Sequence, residues 1–545
     1  MKKKHLLTAL FAVLVTVASA QSNYGIFYFG VGEFETAKEY FNDQLSQSPA
    51  ESNYYLGEIA WDEGKANEAK AFYEKGLAAD PLYVLNNIGL AKLELKSNQK
   101  AAEATFATVL KKNKKNAAVN IAIARAYYEN GMKDLAIAKI ALSRKYCKKS
   151  PLLYTLEGDM LQAEQKYGEA AGKYEQAVYF DPQYTVAQIK CAHVYEPINP
   201  ALSVEILKKV IANHPDYTIA YRNLGKSYCQ SGQYQSAIEA FKTYFAKGKY
   251  SVDDITKFAS AYYFTDNYNE SIKLIDEGLR IDPSNFVLNR LRMYNASKTK
   301  DVQNGLNYAN YFFSLKSTVA SEFITQDYSA YASILSEAGQ YEQALEQYDK
   351  VLKSDNANAE IYKEISSVYG KMGNNAKAAE IFEKYIEITG VDNVTAIDYY
   401  SLGRTYYAAG IALLKDSSEV ARKQGMDFLI KADTTFGIVC QRIPESYTGY
   451  MWRGHTNAAM DPETTKGLAK PYYEQTINAI QASGSTNNKT VLINAYQYLG
   501  YYYYLKHETS KSSEDKANSI KYWNKILELD PENANAIQVL GSYKQ

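Results

Sequence analysis

Tryptophan, histidine and cysteine are scarce in this 545-residue chain, at 3, 5 and 4 copies, and net charge is missing altogether, with 61 basic residues against 61 acidic ones. Each shortage excludes something. No two cysteines form a CxxC pair, and of His5, His193, His214, His455 and His507 only His193 stands near one of Cys147, Cys191, Cys229 and Cys440, two residues after Cys191 with no further Cys or His beside them, so zinc-type ligand spacing is lacking. Balanced charge leaves no global field, whereas a nucleic-acid binder normally needs a basic face to displace counterions. The signatures GxSxG, HExxH, the P-loop and the dinucleotide GxGxxG do not occur, and Gly30-Val31-Gly32 precedes a helical stretch but follows no strand. His193 has Cys191 and Glu196 nearby but no second Cys or His to complete a site, and both His193 and His455 read as core or surface histidines. No catalytic, cofactor or metal site is therefore expected, and the chain reads as non-enzymatic.

What is present is a folded composition, 46% hydrophobic and 22% charged. The length exceeds what one hydrophobic core serves, so either several domains or one short unit repeated many times must account for it. Tyrosine is abundant, with 51 copies, which asks for many sites that are apolar on one side and wet on the other. Two short basic runs, Lys111-Lys112-Asn113-Lys114-Lys115 and Arg144-Lys145-Tyr146-Cys147-Lys148-Lys149, fall at turns between helices and read as solvated turns.

Residues 1–20 read as an export signal. Lys2, Lys3 and Lys4 are followed by an apolar run from Leu6 to Val17, and Ala18-Ser19-Ala20 supplies a small-residue cleavage pattern before Gln21. The run is shorter than the roughly 20 residues that span a bilayer, and no cysteine follows it to suggest a lipoprotein. No later segment holds 18 uninterrupted apolar residues, so no transmembrane helix is expected in the mature chain. In an oxidising compartment a Cys191–Cys229 disulfide is one reading of the cysteines; free, partly buried thiols are the expected one.

The organising signal is a period of 34 residues. Counted from Thr218, Leu224, Gly225, Tyr228, Gly232, Tyr234, Ala237, Phe241 and Tyr244 take positions 7, 8, 11, 15, 17, 20, 24 and 27. Positions 4, 7, 8 and 11 form one face of a first helix, and 20, 24 and 27 form the matching stripe of a second. The offsets return in Leu56, Gly57, Gly64, Ala69, Tyr73 and Pro81, in Gly158, Ala170, Tyr174 and Pro182, in Gly373, Ala378, Phe382 and Tyr385, and in Leu499-Gly500-Tyr503 with Ser519, Trp523 and Pro531. Roughly fourteen such units fit the chain. Proline at position 32 cannot continue the second helix, and small residues at 8 and 20 allow close approach.

This pattern resembles the tetratricopeptide repeat family over nearly all of the mature chain. The resemblance implies an all-α, right-handed α-solenoid of stacked helix-turn-helix repeats, in which each pair is stabilised by its neighbours. The expected organisation is a signal peptide at 1–20, an N-terminal array at 21–313, an irregular junction at 314–324, and a C-terminal array at 325–545 whose last helix, Ala534 to Leu540, caps the stack. Two further departures break the phase: 408–427 reads as a lengthened helix pair with an extended loop at Lys415 to Glu419, and 507–515 as a polar insertion between the helices of the last unit. The set Ala432-Asp433, Phe436, Tyr450-Met451-Trp452-Arg453, Asp461-Pro462, Tyr472-Tyr473 and Tyr498-Leu499-Gly500-Tyr501 resembles the tail of exported tetratricopeptide proteins of the Bacteroidetes, which implies a periplasmic or outer-membrane setting in a Gram-negative bacterium.

In that family the first helices line a concave groove. The resemblance nominates Tyr54, Trp61, Arg222, Asn223, Lys226, Lys257, Tyr263, Tyr400, Arg404, Tyr407, Tyr501 and Tyr504 as partner-binding candidates, with Glu58, Lys363, Glu364 and Lys371 on the same positions. Tyr and Arg are residue types that anchor interfaces. Asn223 and Lys257 fit a carboxylate clamp, but Gln188 and Ala192 stand where that clamp wants Lys and Asn. The expected function is a scaffold or adaptor that binds segments of partner proteins in an envelope assembly; the alternative is a glycan- or peptidoglycan-associated role on the Tyr-rich faces.

Overall fold

The computed structural model describes residues 24–247, 249–315, 322–354, 358–484 and 487–543. The export signal of residues 1–20 lies outside the described residues. Every regular element among them is a helix, and the chain divides into two compact units, residues 1–283 and 284–545. Both are α-solenoids of stacked antiparallel helix pairs.

The first unit opens with a helix at 24–30 paired with Phe34–Asp43. Seven pairs follow: Pro49–Asp62 with Ala66–Ala79, Leu85–Glu94 with Gln99–Asn113, Ala117–Glu129 with Lys133–Cys147, Pro151–Ala163 with Tyr167–Phe180, Thr185–Tyr195 with Pro200–Asn213, Thr218–Gln230 with Tyr234–Phe245, and Val252–Tyr263 with Tyr268–Ile281. The second unit pairs Phe286–Thr299 with Val302–Ser314, Thr325–Glu337 with Tyr341–Ser354, Ala359–Lys371 with Asn375–Thr389, Ala396–Leu414 with Glu419–Arg442, Tyr447–Met460 with Lys470–Ser483, and Lys489–Ser510 with Ser513–Leu529. A final helix, Ala534–Ser542, lays Ala536, Val539 and Leu540 over Trp523 and Ile526 and closes the hydrophobic end.

Local chemistry sets the boundaries. Asp80 and Asp181 precede prolines, which push them into the extended region and stop the second helices. Each carboxylate then accepts a backbone N–H two residues on, from Leu82 at 2.8 Å and Gln183 at 3.0 Å. Between the helices of most pairs the chain reverses through a left-handed residue; Gly64 and Gly232 take φ of +75° and +71° there.

The packing rule is sharper than the sequence suggested. The aromatic at position 24 sits on the glycine at position 8. A Cβ built on Gly57 would lie 2.4 Å from the Tyr73 ring, and one on Gly89, in the next first helix, 2.5 Å from the same ring. Tyr73 is wholly buried between them. Gly158 seats Tyr174, Gly225 seats Phe241 and Gly403 seats Phe436 in the same way.

Three first helices share an entry device. The Asp254, Asp327 and Asp398 carboxylates accept the backbone N–H groups of Ser251, Ile324 and Thr395 at 3.0, 2.8 and 3.0 Å. Each also takes a cation from the preceding first helix: Lys226 at 3.2 Å, Arg290 at 2.9 Å and Lys363 at 2.7 Å. Helix capping and repeat stacking thus share one carboxylate. Arg290 also donates to the Glu322 carbonyl, and Tyr294 to Asp327, so the pair 286–314 is fastened to the pair that begins at Thr325. Within 314–324, residues 316–321 lie outside the described residues.

The segment 408–427 belongs to a lengthened helix pair, as expected, with its loop confined to residues 415–418, and the polar insertion at 507–515 is helical except at Lys511 and Ser512. Both add helical turns, giving helices of 19 and 24 residues in one pair and 22 and 17 in the other. In the first, Gly410 and Gly425 bring the backbones together: a Cβ on either would lie 2.9 Å from the carbonyl oxygen of the other. In the second, Lys511 turns through φ +54° and the Ser512 hydroxyl caps the next helix through Asp515 N–H at 3.3 Å.

Candidate functional site

The inner face of the first unit is lined by charges that neutralise each other. Lys92 lies 2.8 Å from Glu58 and 3.1 Å from Glu129; Arg125 lies 3.8 Å from Glu129 and 3.9 Å from Asp159; Lys190 lies 2.5 Å from Asp159. Lys92 is only 2% exposed, so burial demands its partners. Burial and Glu58 push the Glu129 carboxyl up, while Lys92 and Arg125 pull against them. This ladder escaped the repeat reading; its signal in the sequence is charged residues of both signs at 58, 92, 125, 159 and 190, near one repeat apart.

The same face is covered by the chain's own first helix pair. Phe27 stacks on Tyr217 at 3.9 Å, the Tyr28 hydroxyl meets Thr218 at 3.2 Å, and Gly30 abuts Val186 so closely that a Cβ would lie 2.8 Å from it. Phe29 lies 5.6 Å from the Arg125 guanidinium and 5.1 Å from Tyr55, which stacks on Phe41 at 4.7 Å. Glu33 accepts from Arg222 at 2.5 Å, and Lys249 pairs with Glu39. The first repeat therefore meets the sixth and seventh.

That closure fixes where the nominated residues stand. Tyr54 is buried among Tyr55, Tyr73 and Tyr83 and belongs to the core. Trp61 is half-buried, with the Lys92 ammonium 5.2 Å from its ring. Arg222 is held by Glu33, Lys226 by Asp253 at 2.7 Å, and Asn223 is buried. Lys257 is exposed, and Tyr263 packs against Phe264 and Tyr268. These residues do not assemble into one open site.

The second unit is different. A groove of about 790 Å³ runs between Ala359–Lys371 and Ala396–Leu414, lined by Glu360, Lys363, Glu364, Lys371, Ser401 and Arg404 among others. Lys363 is committed to Asp398 and Lys371 to Glu337 at 3.1 Å. Arg404 is exposed and, among the described residues, has no carboxylate in ion-pair range; its guanidinium lies 5.4 Å from the Trp452 ring and 5.8 Å from Tyr400. Tyr407 meets Trp452 edge-on at 5.4 Å, and the Trp452 indole N–H has no acceptor among the described residues. Tyr400, Arg404 and Tyr407 are thus brought together, with Trp452 as a fourth member. Tyr501 stacks on Tyr504 at 6.4 Å on the last pair, and Tyr504 meets Tyr543.

The sequence set around Trp452 is largely a structural network. Arg453 donates to both Asp433 oxygens at 2.9 and 2.8 Å and to the Tyr472 hydroxyl at 2.8 Å, and Asn457 joins Asp433 at 2.6 Å. His455 shares a hydrogen bond with Tyr473 at 3.1 Å, and burial lowers its pKa, which favours neutral imidazole. Among the described residues no cluster of His, Cys, Asp and Glu could hold a metal. All four cysteines are free, and burial pushes the Cys191 and Cys229 thiols up to about 12, so they are poor nucleophiles. No described helix is long and apolar enough to cross a membrane.

Comparison with known proteins follows the same lines. A TPR repeat model matches residues 332–373, and two tetratricopeptide repeat models match 50–81 with 359–391, and 199–251. A TPR repeat-containing protein of Methanocaldococcus jannaschii is 23% identical over 65% of this chain, and the match spans 58% of that relative's length. The solved C-terminal part of a TPR repeat-containing protein from Cytophaga hutchinsonii is 29% identical, covering 52% of this chain and 98% of that one, with a TM-score of 0.43. A tetratricopeptide repeat protein from Parabacteroides merdae is 14% identical, covering 44% of this chain and 96% of that one, with a TM-score of 0.29. Such repeats generally mediate protein–protein interaction. Helix pairs in phase with a 34-residue period, glycine-seated aromatics and the repeat models that match in both units make this chain a tetratricopeptide repeat protein.

Proposed function

We propose that this chain is a non-enzymatic scaffold of the cell envelope that holds a segment of a partner protein in the groove of its second unit. One observation carries the reading. Arg404 is a guanidinium without a carboxylate partner, poised over an aromatic floor of Tyr400 and Trp452, whereas the inner-face cations Lys92, Arg125, Lys190, Arg222 and Lys226 of the first unit are already paired. An exposed Arg beside aromatic rings, ready to be desolvated by a partner, is the composition of an interface hot spot. An acidic or C-terminal carboxylate group on an extended segment suits it, since Arg binds such groups bidentately.

The envelope setting rests on the export pattern of residues 1–20. Export predicts a protein recovered from the periplasmic or outer-membrane fraction with Gln21 as its first residue. A photo-crosslinking residue at Ser401 should capture a discrete partner in living cells, and Arg404→Ala with Tyr407→Ala should reduce that adduct tenfold or more, given about 2 kcal/mol at a hot spot. An adduct indifferent to those substitutions, or the same partner captured equally from position 222, would refute the assignment to this groove.

A further inference from the structure

The two basic runs that read as separate solvated turns become one surface in the fold. The second helices of four successive repeats end at Ala79, Asn113, Cys147 and Phe180, in phase, and so share one edge of the first unit. Lys111, Lys114 and Lys115 recur one period later as Lys145, Lys148 and Lys149. Direct contacts join these turns: the Cys147 thiol reaches the Lys115 carbonyl at 3.5 Å, the Tyr154 hydroxyl donates to the Lys148 carbonyl at 3.0 Å, and the Tyr154 ring stacks on Phe180 at 5.1 Å. With Lys112, seven exposed lysines crowd this edge, none in an ion pair among the described residues. The neighbouring Arg144 is neutralised by Glu157, and Asp80 and Asp181 at the ends of the row accept local amide N–H groups.

Helix ends attract cations within their last turn. That accounts for Lys111, Lys112 and Lys145, but Lys114, Lys115, Lys148 and Lys149 lie beyond the helices. Apolar side chains flank the lysines. Leu82 and Tyr179, at the same edge of the adjoining repeats, are 86% and 79% exposed, the two highest values for large apolar side chains among the described residues. Leu142 and Tyr146, on the helix that carries Lys145, are also exposed. A soluble polyanion would satisfy the lysines and leave Leu82 and Tyr179 in water. A lipid surface offers both phosphates and an apolar boundary.

We propose that this edge docks the protein on an anionic phospholipid membrane, lysines against headgroup phosphates, with Leu82 and Tyr179 dipping into the headgroup–acyl boundary. The test is co-sedimentation of the full chain with vesicles of phosphatidylcholine alone or with 30% phosphatidylglycerol added, at about 50 mM and about 500 mM salt. Wild type and variant carry the same N-terminus, so their difference reads the patch. Near a charged surface each lysine contributes about fivefold in affinity; K114Q/K115Q/K148Q/K149Q should therefore weaken binding to the anionic vesicles by about 600-fold, nearly three orders of magnitude. High salt should do the same, and L82S/Y179S should weaken binding at both salts. Both sets of substitutions lie on exposed positions, and an unchanged helical circular-dichroism spectrum would confirm folding. Equal binding of wild type and the quadruple variant to anionic vesicles would overturn the proposal. So would lysine-dependent binding to poly-glutamate or duplex DNA that is tighter than to vesicles and indifferent to L82S/Y179S.

Discussion

Asp398 is a small carboxylate with three tasks, and its titration reports them. Burial opposes its ionisation, but Lys363 and the Thr395 hydroxyl and amide outweigh burial and hold its pKa at about 2. An unfolded aspartate titrates near about 3.9. The folded pKa is thus the lower one, so the stabilisation is complete above about pH 4 and is lost as pH falls towards 2. Urea unfolding of the second unit should show Asp398→Asn less stable than wild type at pH 6, with the gap closing between pH 4 and pH 2; a gap independent of pH would contradict the pairing. At this scale the sequence was half readable. Small residues at position 8 and aromatics at position 24 stood out by period, but that Gly57 is the seat of Tyr73 required the ring's direction. Glu58 read as a groove residue because its neighbours did; its partner Lys92 lies one repeat away, and only stacking makes the two adjacent.

Among the elements, the Asp-Pro stops and turn glycines placed most helix ends correctly because they act locally. The lengthened pair at 396–442 was legible for the same reason, whereas the helical part of 507–515 was not. Lys415-Asp416-Ser417-Ser418 and Lys511-Ser512 do turn, but the chain on either side of them is helical up to Leu414 and from Glu419, and up to Ser510 and from Ser513. What holds the longer pair together is the Gly410–Gly425 crossing, invisible without the register between two helices. Gly425→Val should force the pair 396–442 apart, at about 1–3 kcal/mol or more, read as a lower denaturation midpoint of the second unit. Gly437→Ala on the same helix, where a Cβ would meet nothing nearer than Arg453 at 3.8 Å, should be neutral or stabilise by up to about 1 kcal/mol through helix propensity. Equal effects of the two would refute the close crossing.

For the whole chain, the consequential feature is contact between residues about 190 apart, which no repeat period announces. Stacking in phase was legible; how far successive pairs rotate, and hence that the first repeat meets the sixth and seventh, was not. Closure turns Arg222 from a binding candidate into a fastening, while Arg404 in the second unit's groove has no carboxylate in ion-pair range among the described residues. Zero-length carbodiimide coupling followed by peptide mass spectrometry tests this most directly, because it joins only carboxylates and amines already in contact. The account predicts an intramolecular Glu39–Lys249 amide alongside local ones such as Lys209–Glu205. Recovery of the local amides without the link across 210 residues would contradict it.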